Sequence, residues 1–332
     1  MSLGIGVIGA GVMGADHVRT IANHVAGAHV VAVSDRDRAR AEAAAASAPG
    51  ARAETEAEAL IAAADVEAVV VASPDDTHKP YTLACIAAGK PVLCEKPLAP
   101  TVADCLPVIE AEQAAGRRLV QVGFMRRFDP AYVDMKRRFG EGGLGPALLV
   151  HCIHRNQTAP SFFTGLMSIT NATVHEFDIM RWLLGAEIAT IQVWTGRAGP
   201  AGRDDPVLIV IETDAGQLID IEFFANAGYG YDIRTEMVCR NGTLSMEAPH
   251  RSELRLAGAP AFDFAQDWRP RFADAYRLQM QGFVNAIAGG KPVGASAWDG
   301  LVASAVGDAG CKALERGQAV RVELPPRPAF YA

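Results

Sequence analysis

Lys96, His175 and the residues around them are the groups in this chain best suited to chemistry. Glu95-Lys96-Pro97 closes the apolar run Pro91-Val92-Leu93-Cys94. In an open parallel sheet, ligands sit beyond the carboxyl ends of the strands. A lysine placed there can reach a substrate hydroxyl or carbonyl and stabilise an alkoxide-like transition state. Asn171, His175 and Asp178 are spaced four and three residues apart, which predicts one face of a helix over 171–184, with Trp182 continuing the stripe inward. Imidazole titrates near neutrality, so a histidine between an amide and a carboxylate is suited to general-base work. Tyr229-Gly230-Tyr231-Asp232 joins aromatic faces to hydroxyls on a backbone loosened by Gly228 and Gly230, a mix that fits a sugar-like ligand. Each of the three has a plainer reading on spacing alone: a surface lysine before a turn, a satisfied histidine on a polar helix face, a hairpin with interfacial aromatics.

What these groups act beside is written at the start of the chain. The apolar run Gly4 to Ile8 leads into Gly9-Ala10-Gly11-Val12-Met13-Gly14, then a helical stretch, then His29 to Val33 and Ser34-Asp35. This is a dinucleotide fingerprint in its strand–turn–helix–strand context, and it implies a nicotinamide or flavin cofactor. Gly9 allows the tight turn, Gly11 admits the pyrophosphate and Gly14 lets helix and strand pack closely. The helix N-terminus offers N–H groups and partial positive charge to the phosphates. Asp35, about 20 residues on, is placed to bind the ribose hydroxyls and to repel a 2′-phosphate, so NAD is expected ahead of NADP. Arg36 pulls the other way, because an arginine there can stack on adenine or grip a phosphate. Val12, Met13, Ser73 and Glu95 complete the expected cofactor-binding set.

The elements that must position these residues fall into two textures. Up to residue 123, apolar strands at 4–9, 29–34, 67–72, 91–94 and 118–122 alternate with Ala-rich helices at 13–26, 36–48, 55–64, 79–88 and 101–116. Continuously apolar strands belong to a parallel sheet covered on both faces. After Gly123, a helix at 130–139 leads into strands at 147–153, 189–195, 207–213, 217–224, 233–239 and 243–247. Gln217 to Phe223 alternates polar and apolar, as in an antiparallel sheet with one covered face. Helical patterns return at 171–184, 270–288 and 297–316. The expected fold is α/β: a Rossmann doubly wound parallel sheet over 1–123, then an α+β domain over 124–332 with a large, open, mostly antiparallel sheet.

The length of 332 residues fits two domains. A net charge of −7 argues against nucleic acid or an anionic membrane as the main partner. No apolar run reaches transmembrane length, and the N-terminus lacks a signal-peptide pattern. The six cysteines form no C-x-x-C pair and have no zinc spacing. They read as reduced thiols of a cytoplasmic protein, and no metal site is expected.

Taken together, the motifs resemble the glucose–fructose oxidoreductase and inositol dehydrogenase family, and within it the branch of bacterial myo-inositol 2-dehydrogenases. The resemblance spans nearly the whole chain. It runs through the glycine fingerprint, Glu95-Lys96-Pro97, Gly123-Phe124-Met125-Arg126-Arg127-Phe128-Asp129, His151-Cys152-Ile153-His154-Arg155-Asn156, Val174-His175-Glu176-Phe177-Asp178, Tyr229-Gly230-Tyr231-Asp232-Ile233, Ala297-Trp298-Asp299-Gly300 and the closing Pro328-Ala329-Phe330-Tyr331. It implies that Lys96 orients the reacting hydroxyl and His175 accepts its proton while a hydride passes to NAD, giving a ketone. It also implies that Arg126, His154, Asn156, Asp178 and Tyr231 line the polyol site, and that the protein is a homotetramer built through the open sheet face. One departure stands out. The family carries an aspartate four residues before the histidine, and here that position is Asn171, which cannot ionise. That leaves two rivals: the same chemistry on another sugar or sugar derivative, and a non-catalytic sensor that keeps the cofactor. A paired lysine and histidine disfavour the sensor.

Overall fold

The computed structural model describes residues 2–196, 205–246, 253–256 and 258–332. It divides into two compact units: Met1–Phe128 with Asp274–Ser304 and Leu324–Ala332, and Asp129–Ala273 with Ala305–Glu323.

The first unit is a six-stranded parallel sheet: β1 (Leu3–Ile8), β2 (Ala28–Ser34), β3 (Arg52–Glu54), β4 (Ala68–Val71), β5 (Val92–Cys94) and β6 (Val120–Val122), in the order β3-β2-β1-β4-β5-β6. The order reverses at β1, which pairs with β2 on one side and β4 on the other. A crevice opens at such a reversal, beyond the strand ends. Helices α1 (Val12–His24), α2 (Arg38–Ala45), α3 (Ala57–Ala62), α4 (Asp75–Ala87) and α5 (Val102–Ala114) cover the faces. Every residue of β4 and β5 is buried, which is why these strands read as unbroken apolar runs. The core takes Val7, Val33, Val70 and Leu93 from the strands and Met280, Phe283 and Val284 from a late segment of the chain.

The second unit starts with α6 (Pro130–Gly140) and holds a seven-stranded mixed sheet in the order β12-β11-β7-β10-β9-β8-β15. Its strands are β7 (Ala147–Arg155), β8 (Ile188–Thr195), β9 (Val207–Thr213), β10 (Leu218–Phe224), β11 (Asp232–Cys239), β12 (Gly242–Ser245) and β15 (Val320–Arg321). Only β7 and β10 run parallel; the other pairs are antiparallel. A separate hairpin joins β13 (Glu253–Leu256) to β14 (Ala259–Phe262). The sequence pattern missed it. Residue 247, expected to end a strand, lies outside the described residues. Ile219, Ile221 and Phe223 of β10 are buried, while Asp220 and Glu222 point the other way, the alternation of a sheet with one packed face.

Two expectations need correction. The helix expected over 171–184 begins later: α7 (Gly165–Met167) passes into a wide π-helical turn at Ser168–Ala172, and α8 runs from Val174 to Leu184. The cause is Thr173. Its N–H (3.0 Å) and its hydroxyl (2.9 Å) both donate back to the Ser168 carbonyl, five residues earlier. The helix expected over 270–288 is broken at Phe272, giving α9 (Trp268–Arg271) and α10 (Ala273–Gly289). The final helix, α11, is Ala297–Arg316. Among the described residues no helix is long and apolar enough to cross a membrane.

Candidate functional site

In the first unit, the glycine turn has the shape its sequence implies. Gly9 adopts a left-handed φ of 94°, and a Cβ there would lie 2.5 Å from the Ala72 carbonyl oxygen. A Cβ on Gly14 would lie 1.8 Å from the Gly9 oxygen, so only glycine lets α1 start so near β1. Gly11 differs from both. A Cβ there would meet nothing within 4 Å, so its bareness serves no packing inside the protein. It keeps room for what comes from outside. Gly11 is also the N-cap of α1, whose first turn, holding Val12 and Met13, carries no acidic residue. An anion meets the helix dipole there without repulsion. Asp35 stands at the end of β2, its Oδ2 accepting from the Ala10 N–H (2.9 Å) and its Oδ1 from the Asp37 N–H (2.9 Å). A carboxylate has lone pairs for two further donors, and ribose hydroxyls fit that demand. Arg36 beside it is exposed. These features fit a bound NAD: the Gly11 opening and the α1 terminus for the pyrophosphate, Asp35 for the ribose. Asp35→Ser removes the repulsion of a 2′-phosphate. The expected result is a shift of the NADP-to-NAD ratio of kcat/KM toward NADP by about tenfold or more, near the value of one charge interaction; an unchanged ratio would sink the assignment.

Glu95 turns inward. Its Oε1 lies 2.7 Å from Nε2 of His17 on α1, and its Oε2 accepts from the Lys96 N–H at 3.2 Å. Burial alone would push this carboxyl up, but the His17 hydrogen bond and charge, with Lys96, hold it below its ordinary value. Gly123 makes the slot, since a Cβ there would lie 2.6 Å from Glu95 Oε2. Gly300 does the same next door, where a Cβ would lie 2.7 Å from Leu98 Cβ. Ser73 bonds Thr77 through its hydroxyl at 2.6 Å. Arg126 belongs to this unit too, almost fully buried in the short 3-10 turn Met125–Phe128. The next residue, Arg127, pairs with Asp299 at 3.1 Å.

In the second unit, every residue from 171 to 181 is buried except Asn171, in the π turn, and His175, in α8. Asp178 is fully buried. Trp182 is half-buried and lies under the Lys136 ammonium, 5.6 Å from its ring centre, rather than running into the core. His154, at the end of β7, is buried with Nδ1 3.0 Å from Glu176 Oε1. A carboxylate only accepts, so Nδ1 carries the hydrogen. The His154 ring meets Tyr231 edge-on at 5.8 Å, and Tyr231 is nearly fully buried. Tyr229 parts from it: it is exposed, and its hydroxyl donates to Asp232 (2.6 Å) and accepts from Arg155 (3.0 Å). Asn156 follows β7, its backbone N–H bonded to the Phe224 carbonyl at 2.9 Å. The structure thus gathers Gly9, Gly11, Gly14, Asp35, Ser73, Glu95, Lys96 and Arg126 in one unit. Asn156, His154, Asn171, His175, Asp178 and Tyr231 fall in the other. Sequence reasoning missed His17 and Glu176. The signal for His17 was there, a histidine three residues after Gly14; Glu176 carried none.

Sequence profiles of an oxidoreductase family match the chain twice: the NAD-binding Rossmann fold of GFO/IDH/MocA over residues 3–124, and that family's C-terminal alpha/beta domain over residues 136–324. Inositol 2-dehydrogenase 1 of Saccharopolyspora erythraea is 53% identical, the match covering 100% of this chain and 99% of that protein. Inositol 2-dehydrogenase of Klebsiella pneumoniae is 45% identical over the same shares. The crystal structure of myo-inositol dehydrogenase from Lactobacillus casei, in complex with NAD(H) and myo-inositol, is 32% identical with a TM-score of 0.96, covering 100% of both chains.

Proposed function

We propose, for a chain that belongs to the GFO/IDH/MocA oxidoreductase family, the NAD-dependent oxidation of an inositol ring hydroxyl to a ketone. The observation that carries this is the full-length likeness, across both domains, to an inositol dehydrogenase crystallised with NAD(H) and myo-inositol. When bound, NAD supplies the hydride acceptor. His175 removes the proton of the reacting hydroxyl. Lys96 hydrogen-bonds the same oxygen and stabilises the charge that develops on it. His154, fixed by Glu176, lines the polyol site with Arg126, Asn156, Asp178 and Tyr231, which together read the ring hydroxyls. Residues 1–123 serve the cofactor, and residues 124–332 serve the substrate and the subunit contacts.

We place the protein in the cytoplasm, in keeping with its six free cysteines. We further read it as a homotetramer. Trp194 and Leu208 are exposed and directly paired across β8 and β9, and Leu148 and Leu218 are exposed on neighbouring strands of that sheet. Exposed apolar side chains such as the Trp194–Leu208 pair call for a cover. A monomer at micromolar concentration in sedimentation equilibrium would refute this.

The reaction is tested by following NADH absorbance with a panel of inositols and sugars. Turnover of an inositol supports it, and no turnover of any inositol refutes it. Asn171 decides between inositol and another sugar. With Asn171→Asp, a carboxylate four residues before His175 favours the charged ring. The expected result is a gain of several-fold in turnover of myo-inositol, with the rising limb of the pH profile moved to higher pH. A variant that gains nothing on inositols and loses activity on a different sugar would make Asn171 a specificity residue for that sugar.

A further inference from the structure

His78 plays no part in the reaction as described, yet it is buried, 1% exposed, in the first turn of α4. Its Nδ1 lies 2.6 Å from the Pro97 carbonyl oxygen, and its Nε2 lies 2.9 Å from the Ser73 carbonyl oxygen. A carbonyl oxygen can only accept, and a neutral imidazole has one N–H. A neutral ring would therefore satisfy one of these oxygens and press a nitrogen lone pair against the other. Both contacts are hydrogen bonds only when both nitrogens carry hydrogen, which is the imidazolium. The two carbonyls lie on different loops. Ser73 follows β4, and Pro97 follows Lys96. We infer that His78 is a buried imidazolium that pins the loop after β4 to the loop bearing Lys96, and so acts as a positioning residue for Lys96.

The charge needs support, because a helix N-terminus disfavours a cation. Asp75 and Asp76 in the same turn offset that. The titratable groups near the ring are the Cys94 thiol of β5, whose Sγ donates to the Glu95 carbonyl at 3.3 Å, and Asp75 of its own helix. Burial opposes the charge, while the hydrogen bond to the Pro97 carbonyl and the charge of Asp75 favour it.

Two measurements on the full chain test this, and neither needs substrate. In long-range proton–nitrogen spectra of wild-type protein labelled in its histidines, both His78 nitrogens should carry hydrogen at pH 7 and still do so above the range where exposed histidines titrate. The signal is assigned through contacts from the ring to Pro97, so it does not depend on a variant folding. One bare nitrogen at pH 7 overturns the inference. The second measurement is hydrogen–deuterium exchange in His78→Gln, or in His78→Asn should the first not fold. Exchange over residues 92–99 should run about tenfold faster, the worth of one lost hydrogen bond; an unchanged rate overturns the positioning role. The link to catalysis rests on the proposed reaction, and there kcat should fall about tenfold while NADH affinity stays within about threefold. A wild-type protein that oxidised no polyol would refute the reaction and leave the first two readouts to decide this inference.

Discussion

Alanine at His175 lowers kcat on the inositol substrate by roughly 10²–10⁴, the usual worth of a positioned base. NAD affinity stays near wild type, because the glycine turn and Asp35 lie in the other compact unit. The expectation rests on exposure as much as on residue type. Along residues 171–181 the chain buries everything but Asn171 and His175, and a base must reach its substrate. A histidine there for packing alone would be buried like its neighbours. Lys96→Ala should act the same way, costing turnover more than cofactor affinity, since it removes charge stabilisation made in the transition state. Stopped-flow traces separate the chemical step from product release. Wild-type turnover in His175→Ala on the true substrate would reduce this histidine to a structural residue.

How far the sequence carried depended on whether a signal was local. The glycine fingerprint was legible because each glycine answers to a backbone constraint within a few residues. The strand runs were legible because burial on both faces leaves nothing but apolar residues in β4 and β5. The π turn before α8 was not legible. Threonine, valine and histidine at 173–175 all tolerate a helix, and nothing in the spacing says that the Thr173 hydroxyl will bond back to Ser168. The break at Phe272 was hidden the same way, inside an unbroken helical pattern. Long-range partnerships were the harder loss. His154 and Glu176 come from the end of β7 and the start of α8, 22 residues apart, and His17 and Glu95 come from α1 and the end of β5. Periodicity describes one element at a time, so it cannot see a pair that two elements make. The return of residues 274–304 to the first unit is likewise a matter of tertiary packing, with Met280, Phe283 and Val284 joining the core of β1 and α1.

The His17–Glu95 pair supplies the other large expected effect. Leucine at His17 roughly fills the ring's volume but offers no donor, so the Glu95 carboxylate is left buried without its partner. Leaving a buried carboxylate without its hydrogen-bond donor costs about 1–3 kcal/mol or more, and the loss should appear in urea unfolding at pH 7 as a lower midpoint with an unchanged slope. The pH dependence follows from the direction of the Glu95 shift. Its folded value lies below the ordinary 4.5, so in the wild type its stabilising contribution is fully present above about 4.5 and is lost as pH falls through the lower folded value. In His17→Leu the support is gone and burial dominates, which raises the carboxyl instead. Acid then protonates a group that is costly when charged. The stability gap between wild type and variant should therefore be widest near neutral pH and narrow as pH falls toward 4. Pairing the variant with Glu95→Gln removes the stranded charge and should recover part of the loss, a non-additivity that two independent packing defects would not give. A gap that stayed constant from pH 7 to 4, with additive losses in the double variant, would mean that His17 stabilises the fold through its contact with Tyr276 and not through the carboxylate behind Lys96.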